Sequence, residues 1–135
     1  MGEAKWRVLL VEDEASIVKM VGKRLEVAGF ELLTAMDGEE GLQKARNEKP
    51  DLIVLDLMLP KMSGLKVCSL LKQDPAFKNT PVVIFTGKDQ VVDQETCRKS
   101  GADAYIPKAL GATVLLTEIN SLLSKRLKPG TPASS

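Results

Sequence analysis

Histidine is absent from this chain of 135 residues. Without histidine the chain cannot form a Ser-His-Asp or Cys-His triad, a His-ligated zinc site or a histidine general base. Any chemistry that the chain performs must therefore rely on carboxylates, hydroxyls and lysines.

Other features are also scarce, and each absence argues against a class of site or of cellular location. The two cysteines, Cys68 and Cys97, lack CxxC spacing and are typical of small buried side chains in a reducing cytoplasm. No apolar run approaches the roughly 20 residues that span a bilayer, and the start of the chain does not resemble a signal peptide. The 19 basic and 18 acidic residues nearly cancel, so nothing points to nucleic acid or an anionic membrane. We expect a cytoplasmic protein without direct nucleic-acid or membrane binding.

What the sequence does contain is an alternation of short apolar runs with segments of helical spacing. The run Leu52–Leu55 ends abruptly at Asp56, which is typical of a strand buried on both faces of a parallel sheet. Gly29 is placed to end the first helix, and Asp37 with Glu40 resembles a capping box that opens the second. The predicted strands cover residues 6–11, 31–35, 52–55, 82–85 and 104–106, and the predicted helices cover 15–28, 37–49, 64–72, 90–100 and 112–127.

Five strand–helix pairs are too few for an eight-stranded barrel and favour an open sheet. We predict an α/β fold: a (βα)5 doubly wound, five-stranded parallel sheet of order 2-1-3-4-5, which is a flavodoxin-like three-layer sandwich. Residues 6–127 form its single domain, after an N-terminal extension at 1–5. Residues 128–135, rich in proline, glycine and serine, are predicted to be a flexible tail or a truncated linker.

In that topology the carboxyl ends of four strands bring polar residues to one edge of the sheet. These residues are Glu12, Asp13, Asp56, Thr86 and Lys108. Each alone could be an ordinary turn or surface residue, but all five occupy equivalent strand ends. Clustered carboxylates need a cation to remain ionised together, and Mg²⁺ prefers such oxygen ligands. A metal-bound carboxylate beside an ammonium suits attack on a phosphoryl group, which would give an acyl phosphate on Asp56.

The chain resembles the receiver domain of two-component response regulators, of the chemotaxis-receiver type, over residues 6–127. The resemblance rests on four stretches of sequence: VLLVEDE at 8–14, PDLIVLD at 50–56 with LPKMSG at 59–64, PVVIFTG at 81–87, and SGADAYIPK at 100–108. An aspartate followed four residues later by proline, and then by Met-x-Gly, is a specific signal.

The resemblance implies a role for each matching residue. Asp56 corresponds to the phosphoacceptor, Thr86 and Lys108 to its catalytic partners, and Thr86 with Tyr105 to the switch pair. The implied Mg²⁺ ligands are Glu12, Asp13, Asp56 and the backbone carbonyl of Met58. The implied phosphodonor is a histidine on a histidine kinase or phosphotransfer protein. Phosphorylation would then change the face formed by helix four, strand five and helix five for an effector.

The family also implies a signalling domain that promotes only its own phosphorylation and dephosphorylation, rather than an enzyme. It would be a monomer or a weak, phosphorylation-dependent dimer. Helix four has few apolar residues, and weakly packed elements are those that move, so we expect it to take part in the switch.

One departure from the family concerns the approach of the lysine. Receivers usually carry a proline after it, joined by a cis peptide, whereas here Ala109 follows Lys108 and Pro107 precedes it. Either the Lys108–Ala109 peptide is cis, or it is trans and helix five starts differently.

Three alternatives have distinguishing features. A phosphatase of the haloacid-dehalogenase type typically carries a second aspartate two residues after its nucleophile, where this chain has Met58. A receiver-like interaction module that works without phosphorylation would not need the complete acidic, threonine and lysine set. A flavin-binding relative would need a Ser/Thr-rich phosphate loop after strand one, where this chain has acids.

Overall fold

The computed structural model describes residues 5–87 and 94–126, in which strands and helices alternate along the chain. The strands are β1 (Arg7–Val11), β2 (Glu31–Ala35), β3 (Leu52–Leu55), β4 (Val82–Thr86) and β5 (Ala104–Pro107). The helices are α1 (Ala15–Val27), α2 (Gly38–Glu48), α3 (Gly64–Gln73), α4 (Gln94–Lys99) and α5 (Gly111–Leu123), with short 3₁₀ turns at Pro75–Phe77 and Lys108–Leu110.

The sheet has the order β2-β1-β3-β4-β5, and each neighbouring pair is parallel. Every residue of β3 and β4 is buried, because helices cover both faces. One apolar cluster packs the sheet against α2, α3 and α4, and a second packs it against α1 and α5. The predicted doubly wound three-layer fold is therefore confirmed.

Most predicted boundaries agree with the structure to within a few residues. Gly29 has φ 97° and ends the first helix as expected. The helical spacing of apolar residues in α1 predicts a wide inward stripe that includes Met20 and Ala28. That stripe is too wide, because Met20 is 49% exposed and Ala28 is also exposed. Only Val21 and Leu25 among its large residues are fully buried.

The helix cap predicted at Asp37 is present, with one difference. Asp37 Oδ1 accepts a hydrogen bond from Glu40 N at 2.8 Å. The Glu40 side chain bonds the backbone N–H of Met36 at 2.8 Å instead of that of Asp37. Asp37 therefore fixes the first turn of α2, as an N-cap does.

Several predictions lie outside the described residues. These are the first residues of helix four at 90–93, the end of helix five at Leu127, most of the N-terminal extension and the tail at 128–135. Asp89, which by its position before helix four is a candidate N-cap, also lies outside the described residues. The last described residues of the chain, 124–126, form a turn beyond α5 rather than continuing the helix. Within 5–87 and 94–126, no helix has both the length and the apolar character needed to cross a membrane.

Candidate functional site

Three carboxylates meet at the carboxyl edge of the sheet. Val11 and Leu55 are register partners at the ends of β1 and β3, so Glu12 and Asp56 emerge side by side. Oxygens of Glu12, Asp13 and Asp56 lie within 4.8 Å of one another. Glu12 and Asp56 are buried, whereas Asp13 is exposed. The structure thus brings together the three acidic side chains that the sequence placed at one metal site.

Lys108 contacts two of these carboxylates. Its Nζ lies 2.8 Å from Glu12 Oε1 and 3.3 Å from Asp56 Oδ2. The strand register places Lys108 at this edge, because Pro107, the residue before it, pairs with Thr86 at the ends of β5 and β4. The Lys108–Ala109 peptide is trans, and Lys108 opens a 3₁₀ turn before α5. Of the two alternatives for this segment, the structure therefore has the trans peptide and the altered helix start.

Burial and charge act in opposite directions on the two most closely paired groups. Desolvation raises the pKa of Glu12, although the hydrogen bond from Lys108 lowers it. For Lys108, desolvation lowers the pKa, but the hydrogen bond to Glu12 and the charge of Asp56 outweigh it and leave the pKa raised. Lys108 is therefore held as a cation between two carboxylates.

Two buried oxygens at this edge lack a hydrogen-bond partner among the described residues: Asp56 Oδ1 and Thr86 Oγ1. Thr86 is 0% exposed and Asp56 is 6% exposed. A buried polar atom without a partner costs free energy, roughly 1–3 kcal/mol, so these two oxygens are suited to bond a water, an ion or a ligand group. The three carboxylates, one of them open to solvent at Asp13, fit a Mg²⁺ ion that keeps some of its waters.

Gly64 allows the backbone at the start of α3 to pack closely against the backbone of Asp56. A Cβ atom at Gly64 would lie 2.0 Å from the carbonyl oxygen of Asp56. The Gly64 N–H donates to Leu57 O at 3.0 Å. Met58 lies within the turn so formed, and its side chain is 67% exposed. The glycine of the Met-x-Gly motif is thus required by a backbone contact with the candidate phosphoacceptor.

Tyr105 lies on β5, opposite Ile84 in register and two residues before Pro107, the partner of Thr86. It is half-buried and packs against the core cluster on the α2–α4 face. With Cys97, Arg98 and Asp103 it lines a cleft of about 390 Å³ between α4 and β5. Tyr105 is therefore two residues from the end of β5 that pairs with Thr86, and it borders the cleft beside α4.

The comparisons with known proteins agree with this geometry. Residues 8–120 match the sequence profile of the response regulator receiver domain. The chain is 40% identical over 128 residues to the alkaline phosphatase synthesis transcriptional regulatory protein PhoP of Bacillus subtilis, covering 95% of this chain and 52% of PhoP. It is 37% identical over 126 residues to the probable transcriptional regulator ycf27 of Guillardia theta, covering 93% of this chain and 48% of ycf27.

Among solved structures, the chemotaxis response regulator CheY4 of Vibrio cholerae superimposes with a TM-score of 0.82 at 30% identity. The match covers 89% of this chain and 100% of CheY4. By contrast, the chain spans about half the length of PhoP and of ycf27. The similarity to those two regulators is therefore to one half of each.

Proposed function

The chain belongs to the response regulator receiver domain family, and we propose that Asp56 accepts a phosphoryl group in a Mg²⁺-dependent reaction. The donor would be a phosphohistidine on a histidine kinase or phosphotransfer protein. The observation that supports this most is the state of Asp56 itself. One carboxylate oxygen is held 3.3 Å from Lys108 Nζ, while the other is buried without a partner among the described residues.

The transfer would require one bond to form and one to break. A carboxylate oxygen of Asp56 attacks phosphorus, the P–N bond of the phosphohistidine breaks, and the released imidazole nitrogen is neutralised by a proton from water. Lys108 holds a positive charge beside the reacting carboxylate, and the unpartnered Thr86 hydroxyl can donate to a phosphoryl oxygen once one is present. Mg²⁺, bound by Glu12, Asp13, Asp56 and the Met58 carbonyl, would offset charge on the phosphoryl oxygens.

Phosphorylation would change the surface of the domain through the edge of the sheet that carries Thr86. A hydrogen bond from Thr86 to the phosphoryl group would bias the position of Tyr105 and the face formed by α4, β5 and α5. Such a bias would alter affinity for an effector, either a separate protein or another part of a longer chain. We place this signalling in the cytoplasm, where reducing conditions keep Cys68 and Cys97 as thiols.

Intact mass spectrometry after incubation with acetyl phosphate and Mg²⁺ tests the assignment. We expect the wild-type chain to gain the mass of one phosphoryl group, and this gain to disappear in Asp56→Asn and when Mg²⁺ is chelated. Asp51→Asn is a matched control, because Asp51 precedes the same strand at its opposite end and accepts a hydrogen bond from Arg7 N there.

The control should gain the phosphoryl group as the wild type does. A phosphoryl group that still appears on Asp56→Asn would contradict the assignment of Asp56. No gain on the wild type would contradict the proposal as a whole and would favour an interaction module that works without phosphorylation.

A further inference from the structure

The turn between β2 and α2 lies directly against the loop that follows Asp56. The Gly38 N–H donates to the carbonyl of Pro60 at 3.1 Å. A Cβ atom at Gly38 would lie 1.9 Å from the carbonyl oxygen of Met62. Only a residue without a side chain can therefore occupy this position while both backbones keep their paths.

The loop that Gly38 touches has a backbone conformation that is costly by itself. Lys61 has φ 68°, in the left-handed region that a residue with a side chain rarely adopts. Around it, the Met62 N–H donates to Pro60 O at 2.7 Å and closes a three-residue turn. Such a conformation persists only when surrounding contacts hold it. The contact from Gly38 is made to the same carbonyl oxygen that closes the turn.

The N–H of Gly38 is also available for this contact because of where α2 begins. Gly38 is the first residue of α2, and the first N–H groups of a helix have no partner within it. Asp37 uses its side chain to cap Glu40 N, which leaves the Gly38 N–H to bond outside the helix. Asp37 Oδ2 also lies 3.7 Å from Lys61 Nζ. The helix start therefore contacts the loop through both backbone and side chain.

The segment containing Met58 is consequently held at both ends. On one side, Gly64 packs against Asp56 and bonds Leu57. On the other, Pro60 is bonded by Gly38. The path of the backbone between these two attachments decides where the Met58 carbonyl lies.

We propose that Gly38 is a positioning residue for the metal site. By bonding Pro60 and leaving room for Met62, it sets the path of the Met58 segment and so the affinity of the site for Mg²⁺, without touching the metal or the phosphoryl group. This inference rests on the proposed function, since it assumes that the Met58 carbonyl is a ligand.

Calorimetric titration of the unphosphorylated chain with Mg²⁺ tests it. We expect Gly38→Ala to raise the Kd for Mg²⁺ about tenfold, as loss of a group that orients a ligand does. In acetyl phosphate reactions, the Mg²⁺ concentration for half-maximal rate should rise by the same factor, while the rate at saturating Mg²⁺ changes little. Ala45→Gly is the control, because it weakens the same helix, while the bond to Pro60 O and the close approach to Met62 O are made by Gly38 and not by Ala45.

A second pair of variants applies even if Gly38→Ala does not fold. Asp37→Ala removes the cap, so that the first turn of α2 and the Gly38 N–H lose their fixed position. Asp37→Asn keeps a capping side chain. We expect Asp37→Ala to raise the Kd for Mg²⁺ and Asp37→Asn to restore it.

The outcomes separate this inference from the function on which it rests. If the wild type binds Mg²⁺ and is phosphorylated, but neither Gly38→Ala nor Asp37→Ala changes the Kd, the positioning role is wrong and the phosphoacceptor assignment stands. An equal change in Ala45→Gly would also overturn the positioning role, since helix stability alone would then explain it. Failure of the wild type to bind Mg²⁺ would overturn both proposals.

Discussion

Asp56 and Lys108, two charged residues of the candidate site, are each followed or carried by a short segment, and these two segments are held in different ways. The loop from Leu57 to Ser63, which follows Asp56, is fixed by backbone contacts with Gly64 and Gly38. The turn Lys108–Leu110 contains no buried residue. A Cβ atom at Gly111, which follows that turn, would meet no described atom within 4 Å.

The difference shows two solutions to the same problem of placing a charged group. The Asp56 loop is positioned mainly by close packing of its backbone, and its ion pair between Lys61 and Asp37 adds little because Lys61 is exposed. Lys108 is positioned by its ion pairs with Glu12 and Asp56, so its place depends on those carboxylates. We therefore expect substitutions in the first segment to act through steric clash, and those in the second to act through charge or backbone strain.

The largest effect should come from closing the space at Gly64. In Gly64→Ala the new Cβ would lie 2.0 Å from the Asp56 carbonyl oxygen, and since backbone cannot move aside cheaply, we expect a loss of more than about 3 kcal/mol in the free energy of unfolding. Urea unfolding measures this. Gly87→Ala, where a Cβ would meet no described atom within 4 Å, should change stability by less than about 0.5 kcal/mol. Equal losses would remove the steric explanation.

A smaller effect should follow from removing the cation. Lys108→Ala leaves Glu12 and Asp56 facing each other, and we expect a loss of about 2 kcal/mol in Mg²⁺-free buffer, below the usual cost for a fully buried pair because Lys108 is partly exposed. Removing one of the two carboxylates should relieve the repulsion, so the loss should shrink by about 1 kcal/mol in an Asp56→Asn background.

The double-mutant cycle of Lys108→Ala and Asp56→Asn, measured by urea unfolding, decides whether charge positions Lys108. Lys66→Ala, on the exposed side of α3, serves as the control in both backgrounds and should have no coupling to Asp56. If Lys108 and Asp56 are equally uncoupled, the turn is held by packing and the contrast between the two segments is wrong.

The smallest effect concerns the backbone of Gly111. This residue has φ 88° and ψ 169°, a region that is essentially restricted to glycine, so Gly111→Ala should cost about 1 kcal/mol through strain alone. Gly29→Ala is matched, because Gly29 has φ 97° and a Cβ atom there would also meet no described atom within 4 Å. Thermal unfolding should give similar losses for both; a loss at Gly111 as large as that at Gly64 would indicate hidden packing.

Much of the fold and site followed from local sequence patterns. The apolar run Leu52–Leu55 became a wholly buried strand, and Asp37 became a helix cap. The exposure of Met20 was missed, because helical spacing cannot tell how wide a stripe the neighbouring sheet covers. The close contact between Gly38 and Met62 was not predicted, because it joins the start of α2 to a loop residue that lies 24 positions later in the sequence. The sequence feature that could have indicated this contact is a glycine directly after the N-cap Asp37, where a residue with a side chain would normally serve.

The sequence by itself determined which residues end the strands, because runs of apolar residues stop where the chain must leave the core. Parallel connection then placed Glu12, Asp56, Thr86 and Lys108 at one edge. Tertiary structure decided which atoms are paired there: Lys108 Nζ lies between two carboxylates, while Asp56 Oδ1 has no described partner. Such pairing depends on differences of about one ångström between groups, and only the register of the strands and the packing of the loops set distances that finely.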